Sequence, residues 1–211
     1  MTSYYLWSAV PALIVIGGAL LAARAAWNRR RKEKETFRSI ARTFGFTFSE
    51  PPNSSNFMTV IGDWEMKGTY NRIPVRIYGK RVSGQKNNSE STFVDATANC
   101  QTKCQLAITR ETTLSRIGGA AFGLQDIATG DADLDRRVVV KGVPIHIVER
   151  IARNPKFQRE LARLFELDGM IHVDLHGAHY RRSTVFTNEQ SLRLLLEAMT
   201  RTAAALEEAA A

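Results

Sequence analysis

The sequence predicts an α+β fold, in which an N-terminal transmembrane helix precedes a mostly antiparallel β-sheet domain with helices concentrated toward the C-terminus. Three observations predict it. The chain opens on an uncharged segment, period-2 alternation recurs between about 60 and 110, and helical patterns dominate after 144. Because runs of strands precede runs of helices, the order favours α+β over alternating α/β.

The opening segment has the length and composition of a membrane span. The segment "TSYYLWSAVPALIVIGGALLAA" carries no charged side chain and covers the roughly 30 Å of a bilayer core. Trp7 and Trp27 suit the two interfaces, and the positive side chains all follow the span, which predicts an outside N-terminus and a cytoplasmic C-terminal domain. Gly18, Ala22 and Ala26 form a small-residue stripe through which two spans could form a homodimer.

The charge is concentrated next to this segment. Residues 24–48 hold eight Lys and Arg against two Glu, which is most of the net charge of +8. The remaining domain is nearly neutral and lacks the basic stripe of a nucleic-acid binder, so no nucleic-acid partner is expected. The predicted segments are a transmembrane anchor (1–27), a basic juxtamembrane helix (28–48), a linker (49–56) and a cytoplasmic α+β domain (57–211).

Four of the basic residues are candidates for lipid binding. Arg29, Arg30, Arg31 and Lys32 follow the predicted span directly. Each cationic side chain near a bilayer surface attracts anionic lipid by about 1 kcal/mol. The simpler alternative is that the cluster only sets the topology of the span, and the two roles are compatible.

Local patterns predict the first elements of the soluble part. An apolar i, i+3, i+4, i+7 spacing predicts a helix that ends at Gly45. Alternation on both sides of "NR" predicts a β-hairpin over 60–82. Pro74 has no N–H, which predicts that the second strand of this hairpin lies at a sheet edge. Two further strands are predicted over 91–99 and 105–110.

The C-terminal part switches toward helices. After a buried valine-rich strand over 136–142, "PIHIVERIA" predicts a short helix, and Asn154 followed by a proline predicts the start of a second. A hairpin over 170–186 precedes the last helix. The spacing of Thr187 and Gln190 is typical of a capping box at the start of that helix.

The stretch "DIATGDADLD" places four carboxylates within ten residues and resembles an ion-binding loop. A calcium loop requires Gly at its sixth position and a bidentate Glu at its twelfth, where this chain has Arg136 and Gly142. The preceding "GGAAFG" is not followed by the lysine of a phosphate loop. A magnesium site is a remaining alternative, because it needs only one or two carboxylates together with the phosphate of a substrate. The favoured interpretation is a turn, in which Asp126 and Asp131 accept backbone N–H bonds and Gly130 supplies an unusual dihedral angle.

A second cluster lies in "HVDLHGAH". His172, Asp174 and His176 share one face of a predicted strand, and His179 follows the turn. Three imidazoles and a carboxylate are plausible zinc ligands, with water at an open position if the site were catalytic. The alternative is the solvent-facing side of an ordinary hairpin, because same-face neighbours lie roughly 7 Å apart.

The remaining motifs do not predict an enzyme. Cys100 and Cys104 are the only cysteines, and together they supply only half of a zinc site. In the cytoplasm they are expected to be reduced. The chain has no nucleophile elbow and no His-Glu-x-x-His motif. No catalytic residue and no cofactor are therefore predicted.

Two motifs carry a family resemblance. "GxYxxxPVxI" begins at Gly68, and "DIxTGDxxLDRRVxVKG" begins at Asp126. Together with the N-terminal segment, they resemble a group of uncharacterised bacterial single-pass membrane-anchored proteins, with Leu134 where phenylalanine is usual. The resemblance implies an inner-membrane location and a framework role for the acidic stretch. It implies no activity, cofactor or partner.

Two functional hypotheses follow. The first is a non-enzymatic accessory or interaction module at the bacterial inner membrane, whose cytoplasmic domain binds a protein partner or lipid head groups. It rests on the anchor, the near-neutral domain and the failed catalytic motifs. The second is a membrane-tethered metal-dependent hydrolase that uses the cluster at His172–His179 or the loop at Asp126–Asp135. Convergence of either cluster within a pocket distinguishes the second from the first.

Overall fold

The structure is a computed structural model. It describes residues 21, 24, 25, 28, 31, 35–50, 64–83, 88–111, 126–183 and 188–211. The chain divides after Ile40 into two compact units. The described residues from Leu21 to Ile40 are helical, and the second unit contains the sheet.

The expectation of a membrane-spanning helix is corrected. Among the residues that the structure describes, none of the helices is long and apolar enough to cross a bilayer. The described residues form an α+β fold, and the single-pass inner-membrane location that depended on the predicted span is withdrawn. Of the predicted span only Leu21 is described, and the small-residue stripe lies outside the described residues.

The basic cluster is described at one position only. Arg31 donates from Nε to Glu35 Oε1 over 3.2 Å, an exposed i,i+4 pair of the kind that stabilises helices slightly. Arg29, Arg30 and Lys32 lie outside the described residues. The one described side chain is therefore satisfied within its own helix.

Eight strands form a single antiparallel sheet. They are β1 (Thr47–Ser49), β2 (Trp64–Tyr70), β3 (Ile73–Ser83), β4 (Asn88–Thr97), β5 (Gln105–Arg110), β6 (Val138–Val143), β7 (Met170–Asp174) and β8 (Gly177–Arg182). Their order is β1-β2-β3-β4-β8-β7-β5-β6. The C-terminal hairpin β7–β8 thus lies between strands that are adjacent in sequence, which brings distant parts of the chain together.

Most of the helices lie where the sequence predicted them. The helices are α1 (35–44), α2 (Ala132–Asp135), α3 (Ile145–Ala152), α4 (Pro155–Phe165) and α5 (Glu189–Ala210). The exception is α2, which lies in the acidic stretch that was interpreted as a turn. Gly45 ends α1 with φ +68°, a conformation that favours glycine. The Asn154 side chain accepts the N–H groups of Lys156 and Phe157 at the start of α4. The start of α5 was predicted wrongly, because its cap is Asn188 rather than Thr187.

Helices cover one face of the sheet, which we call the inner face. Alternate strand residues on this face are buried, among them Met66, Ile77, Val94, Ile108 and Val173. Helix α5 packs against β2, β3, β4 and β8, and α4 packs against α5. Buried helix residues complete this core, including Phe157, Leu161, Leu196 and Met199. Each large apolar side chain buried here contributes about 1.5–3 kcal/mol, so the inner face holds the fold together.

The prediction that Pro74 marks an edge strand is wrong. Strand β3 pairs with both β2 and β4 and lies inside the sheet. Its pairing with β4 begins only at Val75, which lies opposite Ala96. Pro74 therefore lies just outside the ladder between β3 and β4, so its missing N–H does not interrupt that ladder.

Candidate interaction surface

The face of the sheet opposite the helices, which we call the outer face, carries a row of interface-type side chains. Tyr78 lies opposite Phe93, Phe93 opposite Arg181, and Arg181 opposite Met170, in register across β3, β4, β8 and β7. We call these four residues the aromatic–arginine row. The first three side chains are half-buried, and Met170 is 68% exposed. Among the described residues, no helix covers this face, and the row is accessible there.

The two rings of the row are stacked and capped by guanidinium groups. Tyr78 and Phe93 have centroids 5.0 Å apart and an interplanar angle of 7°. Arg76 Cζ lies 4.5 Å from the Tyr78 centroid, and Arg181 Cζ lies 5.5 Å from the Phe93 centroid. Both distances are within the range of cation–π attraction. Arg76, Tyr78, Phe93 and Arg181 thus form a continuous series of contacts across the sheet.

Glu65 on β2 forms ion pairs with Lys67 and with Arg76, the guanidinium that lies over Tyr78. Its Oε2 lies 2.8 Å from Lys67 Nζ, and its Oε1 accepts a hydrogen bond from Arg76 Nε. The hydrogen bond from Lys67, against a smaller opposing effect of burial and together with Arg76, lowers the pKa of the Glu65 carboxyl. Arg76 is therefore held in place both by Glu65 and by the Tyr78 ring.

A network of histidines and carboxylates lies beside the row. His179 Nδ1 is 2.9 Å from Asp95 Oδ1, and His179 Nε2 is 3.3 Å from Asp174 Oδ1. His172 Nε2 is 3.6 Å from Asp174 Oδ2, and the rings of His172 and His179 stack with centroids 6.0 Å apart. Asp95 is on β4, His179 on β8 and Asp174 on β7, so the network bridges three strands.

The network favours a protonated His179. The hydrogen bonds from its ring to Asp174 and Asp95 outweigh burial and raise the pKa of His179 to about 9. Burial alone would raise the pKa of Asp174, but hydrogen bonds from His172, His179 and the His176 backbone outweigh it and lower that pKa. The raised pKa favours the imidazolium form of His179 at neutral pH, in which both N–H groups are donated to carboxylates. Such a ring has no lone pair for a metal ion or for general-base catalysis.

The structure brings together three of the four predicted zinc residues. His172, Asp174 and His179 are in contact, whereas His176 joins them through its backbone N–H, which donates to Asp174 Oδ1 over 2.7 Å. In the described ranges, no group of three or more His, Cys, Asp or Glu residues is arranged to hold a metal ion. The geometry is that of an ion-pair network, and zinc binding stays a prediction from the sequence.

The acidic stretch holds backbone, as the turn interpretation predicted. Asp131 Oδ1 accepts the N–H groups of Asp133 and Leu134 at the start of α2, and Gly130 has φ +91°. Asp135 Oδ1 accepts both the N–H and the hydroxyl of Thr129. Asp126 was also expected to accept a backbone N–H, and in the structure Asp135 accepts it instead. These carboxylate oxygens are used within the loop that leads into β6.

The cysteines offer no reactive thiol. Cys100 and Cys104 are both free and half-buried. Burial, reinforced by Glu207, raises the pKa of Cys100 to about 11, and burial also raises the pKa of Cys104. Cys104 lines a shallow, open depression with Gln105 and Pro144. A thiol of raised pKa is a poor nucleophile at neutral pH, so neither cysteine is suited to nucleophilic catalysis.

Sequence reasoning missed the aromatic–arginine row. The alternation in "IYG" and "TFV" identifies Tyr78 and Phe93 as outward-facing residues on their strands. Their pairing with Arg181 and Met170 depends on the insertion of β7–β8 between β4 and β5. No local pattern indicates that insertion.

Comparisons with protein-family models, curated proteins and solved structures found no match for the chain. The class of protein is therefore defined by its own fold and surface. It is an α+β domain with one eight-stranded antiparallel sheet, helices on the inner face and an accessible aromatic and charged outer face.

Proposed function

We propose that this protein is a non-enzymatic interaction module that binds a protein partner through the outer face of its sheet. The observation that carries the proposal is the aromatic–arginine row. Tyr, Phe, Met and Arg are the residue types enriched in protein interfaces, and here one of each occupies four neighbouring positions.

The packing of the row supports this role. Binding hot spots are aromatic and Arg side chains that lose little conformational entropy when a partner arrives. Tyr78 and Phe93 already hold each other in a stack, and Arg181 already lies over Phe93. The row is thus organised before binding, which lowers the entropic cost of forming an interface.

A hydrolase is less well supported. The rival hypothesis needs either the cluster at His172–His179 or the loop at Asp126–Asp135 to bind a metal ion. In that loop, Asp131 and Asp135 already accept backbone N–H groups. Both ring nitrogens of His179 face carboxylates, and the raised pKa favours the protonated ring at neutral pH, which would have to lose a proton before it could bind a metal ion. The interaction module requires no such change in protonation.

Site-specific photo-cross-linking in the native cells tests the proposal. Benzoylphenylalanine at Met170 places a photoreactive group on the row, and the same group at Leu194 places it on α5. Both native side chains are large, apolar and exposed, at 68% and 56%. We expect a discrete protein adduct from position 170 that is absent from position 194.

The packing of the row provides a further control. Phe93→Ala removes the centre of the stack without touching position 170, and it should reduce the adduct. The absence of any adduct at position 170, or identical adducts from positions 170 and 194, would refute the proposed function.

A further inference from the structure

On the outer face, the described carboxylates form ion pairs, whereas Arg181 forms none with the described residues. All three carboxylates described on it already have partners: Glu65 pairs with Lys67 and Arg76, Asp95 with His179, and Asp174 with His172 and His179. Arg181 differs from these groups. Within the part of the chain that the structure describes, its contact is with the Phe93 ring and it has no carboxylate partner.

The position of Arg181 suits recognition of a carboxylate. A guanidinium that lies over a ring keeps the N–H groups of its planar fork available, and that fork matches a carboxylate in a bidentate pair. Phe93 restricts Arg181 on one side, and Met170 lies directly opposite it in the ladder between β7 and β8. A partner's carboxylate bound to Arg181 would therefore lie next to the apolar side chains of Phe93 and Met170.

Single-stranded nucleic acid fits this surface less well. Proteins that bind it stack successive bases on free aromatic faces. Here both rings already have neighbours: Tyr78 contacts Arg76 and Phe93, and Phe93 contacts Tyr78 and Arg181. A base would have to compete with these contacts in order to stack.

We infer that the partner presents an acidic segment, in which a carboxylate pairs with Arg181 while an adjacent apolar side chain packs against Met170 and Phe93. This inference rests on the proposed function and specifies the chemistry of the partner. Charge complementarity carries it: the carboxylates of this face are neutralised internally, whereas Arg181 is left for an external anion.

Fluorescence anisotropy with defined probes tests the inference on the full chain. The probes are a labelled peptide that alternates Glu with Leu and Ser, its counterpart with Lys in place of Glu, and oligothymidylate. We expect only the Glu peptide to bind, with an affinity that falls as salt rises. Arg181→Glu should weaken this binding by about tenfold or more, and Arg181→Lys should weaken it less, because Lys keeps the charge but loses the fork.

Arg159→Glu is the matched control, since Arg159 is an exposed arginine on α4. It makes the same change in net charge and should alter binding by less than about twofold. Thermal melts of all three variants establish that they are folded. The inference is overturned if Arg181→Glu and Arg159→Glu lose equal affinity for the Glu peptide, or if the native protein does not bind that peptide.

Arg181-dependent binding of oligothymidylate in place of the Glu peptide overturns it as well. The cross-linking result separates these failures from failure of the proposed function. An adduct at Met170 together with an inactive Glu peptide leaves the interaction module standing and rejects only the acidic partner.

Discussion

His179 donates to Asp95 across the ladder between β8 and β4, with 2.9 Å between Nδ1 and Oδ1. The two residues are 84 positions apart in the chain. On its other side, the same ring reaches Asp174 on β7 over 3.3 Å. One imidazolium therefore holds two carboxylates that would otherwise repel each other on the outer face.

The first prediction is a loss of stability at alkaline pH that depends on His179. The pKa of His179 is raised from its ordinary value of 6.5 to about 9 in the folded protein. When the pKa of a group is higher in the folded than in the unfolded protein, the group contributes its full stabilisation at pH values below the unfolded-state pKa. That stabilisation is lost as the pH rises through the folded-state pKa. We expect the free energy of unfolding to fall between about pH 6.5 and 9, by on the order of 1–2 kcal/mol, because the ring is partly exposed.

Urea unfolding at a series of pH values measures this loss. His179→Gln keeps a polar side chain but cannot titrate. Its free energy of unfolding should therefore be lower than that of the native protein at pH 6 and should change less between pH 6 and pH 9. His146→Gln, at an exposed position on α3, should leave the pH dependence unchanged. Identical pH profiles for the native protein and His179→Gln would contradict the prediction.

The second prediction concerns coupling between Tyr78 and Phe93. Aromatic pairs contribute about 0.5–1.5 kcal/mol beyond the area that they bury. Because the rings stack at 5.0 Å, a double-mutant cycle with Tyr78→Ala and Phe93→Ala should give a coupling free energy in that range. Tyr78→Phe keeps the ring and serves as the control, with a small effect on unfolding. Strictly additive alanine effects would show that the stack contributes nothing.

The third prediction concerns the acidic loop. Asp131 caps α2 by accepting two backbone N–H groups. Asp131→Ala should lower the free energy of unfolding by about 1 kcal/mol, whereas Asp131→Asn keeps the acceptor and should cost less. Calcium should not change the thermal melt of the native protein. A stabilisation by millimolar calcium that disappears in Asp131→Asn would instead indicate an ion-binding loop.

Local signals predicted much of the fold. The hairpin around Asn71 and the start of α4 at Asn154 were predicted from a few neighbouring residues and are confirmed, because turn and cap chemistry act over short distances. The edge assignment of Pro74 failed, because that rule assumes a ladder that extends past the proline. The membrane span was inferred from the length of an uncharged stretch, its terminal aromatic residues and the positive side chains after it, and no helix among the described residues is long and apolar enough to confirm it.

The site was harder to predict than the elements that carry it. In the sequence, His172, Asp174 and His176 were recognised as one polar strand face, with His179 after the turn. The decisive partner of this cluster is Asp95, which reaches His179 only because β8 pairs with β4. Strand order depends on the packing of the whole inner face, so no window of sequence distinguishes a metal site from this ion-pair network.

The last prediction is that Gly142→Ala destabilises the protein strongly. A Cβ at this position in β6 would lie 2.0 Å from the backbone oxygen of Gln105 and 2.7 Å from Val148 Cγ2. The first contact is with the backbone of the neighbouring strand, which cannot rotate away, so relief requires β5 and β6 to separate. We expect a loss of about 1–3 kcal/mol in urea unfolding, typical of overpacking. Lys141→Ala, at the adjacent half-buried position, is the control and should cost less; equal effects would show that the close approach at Gly142 is not what the residue provides.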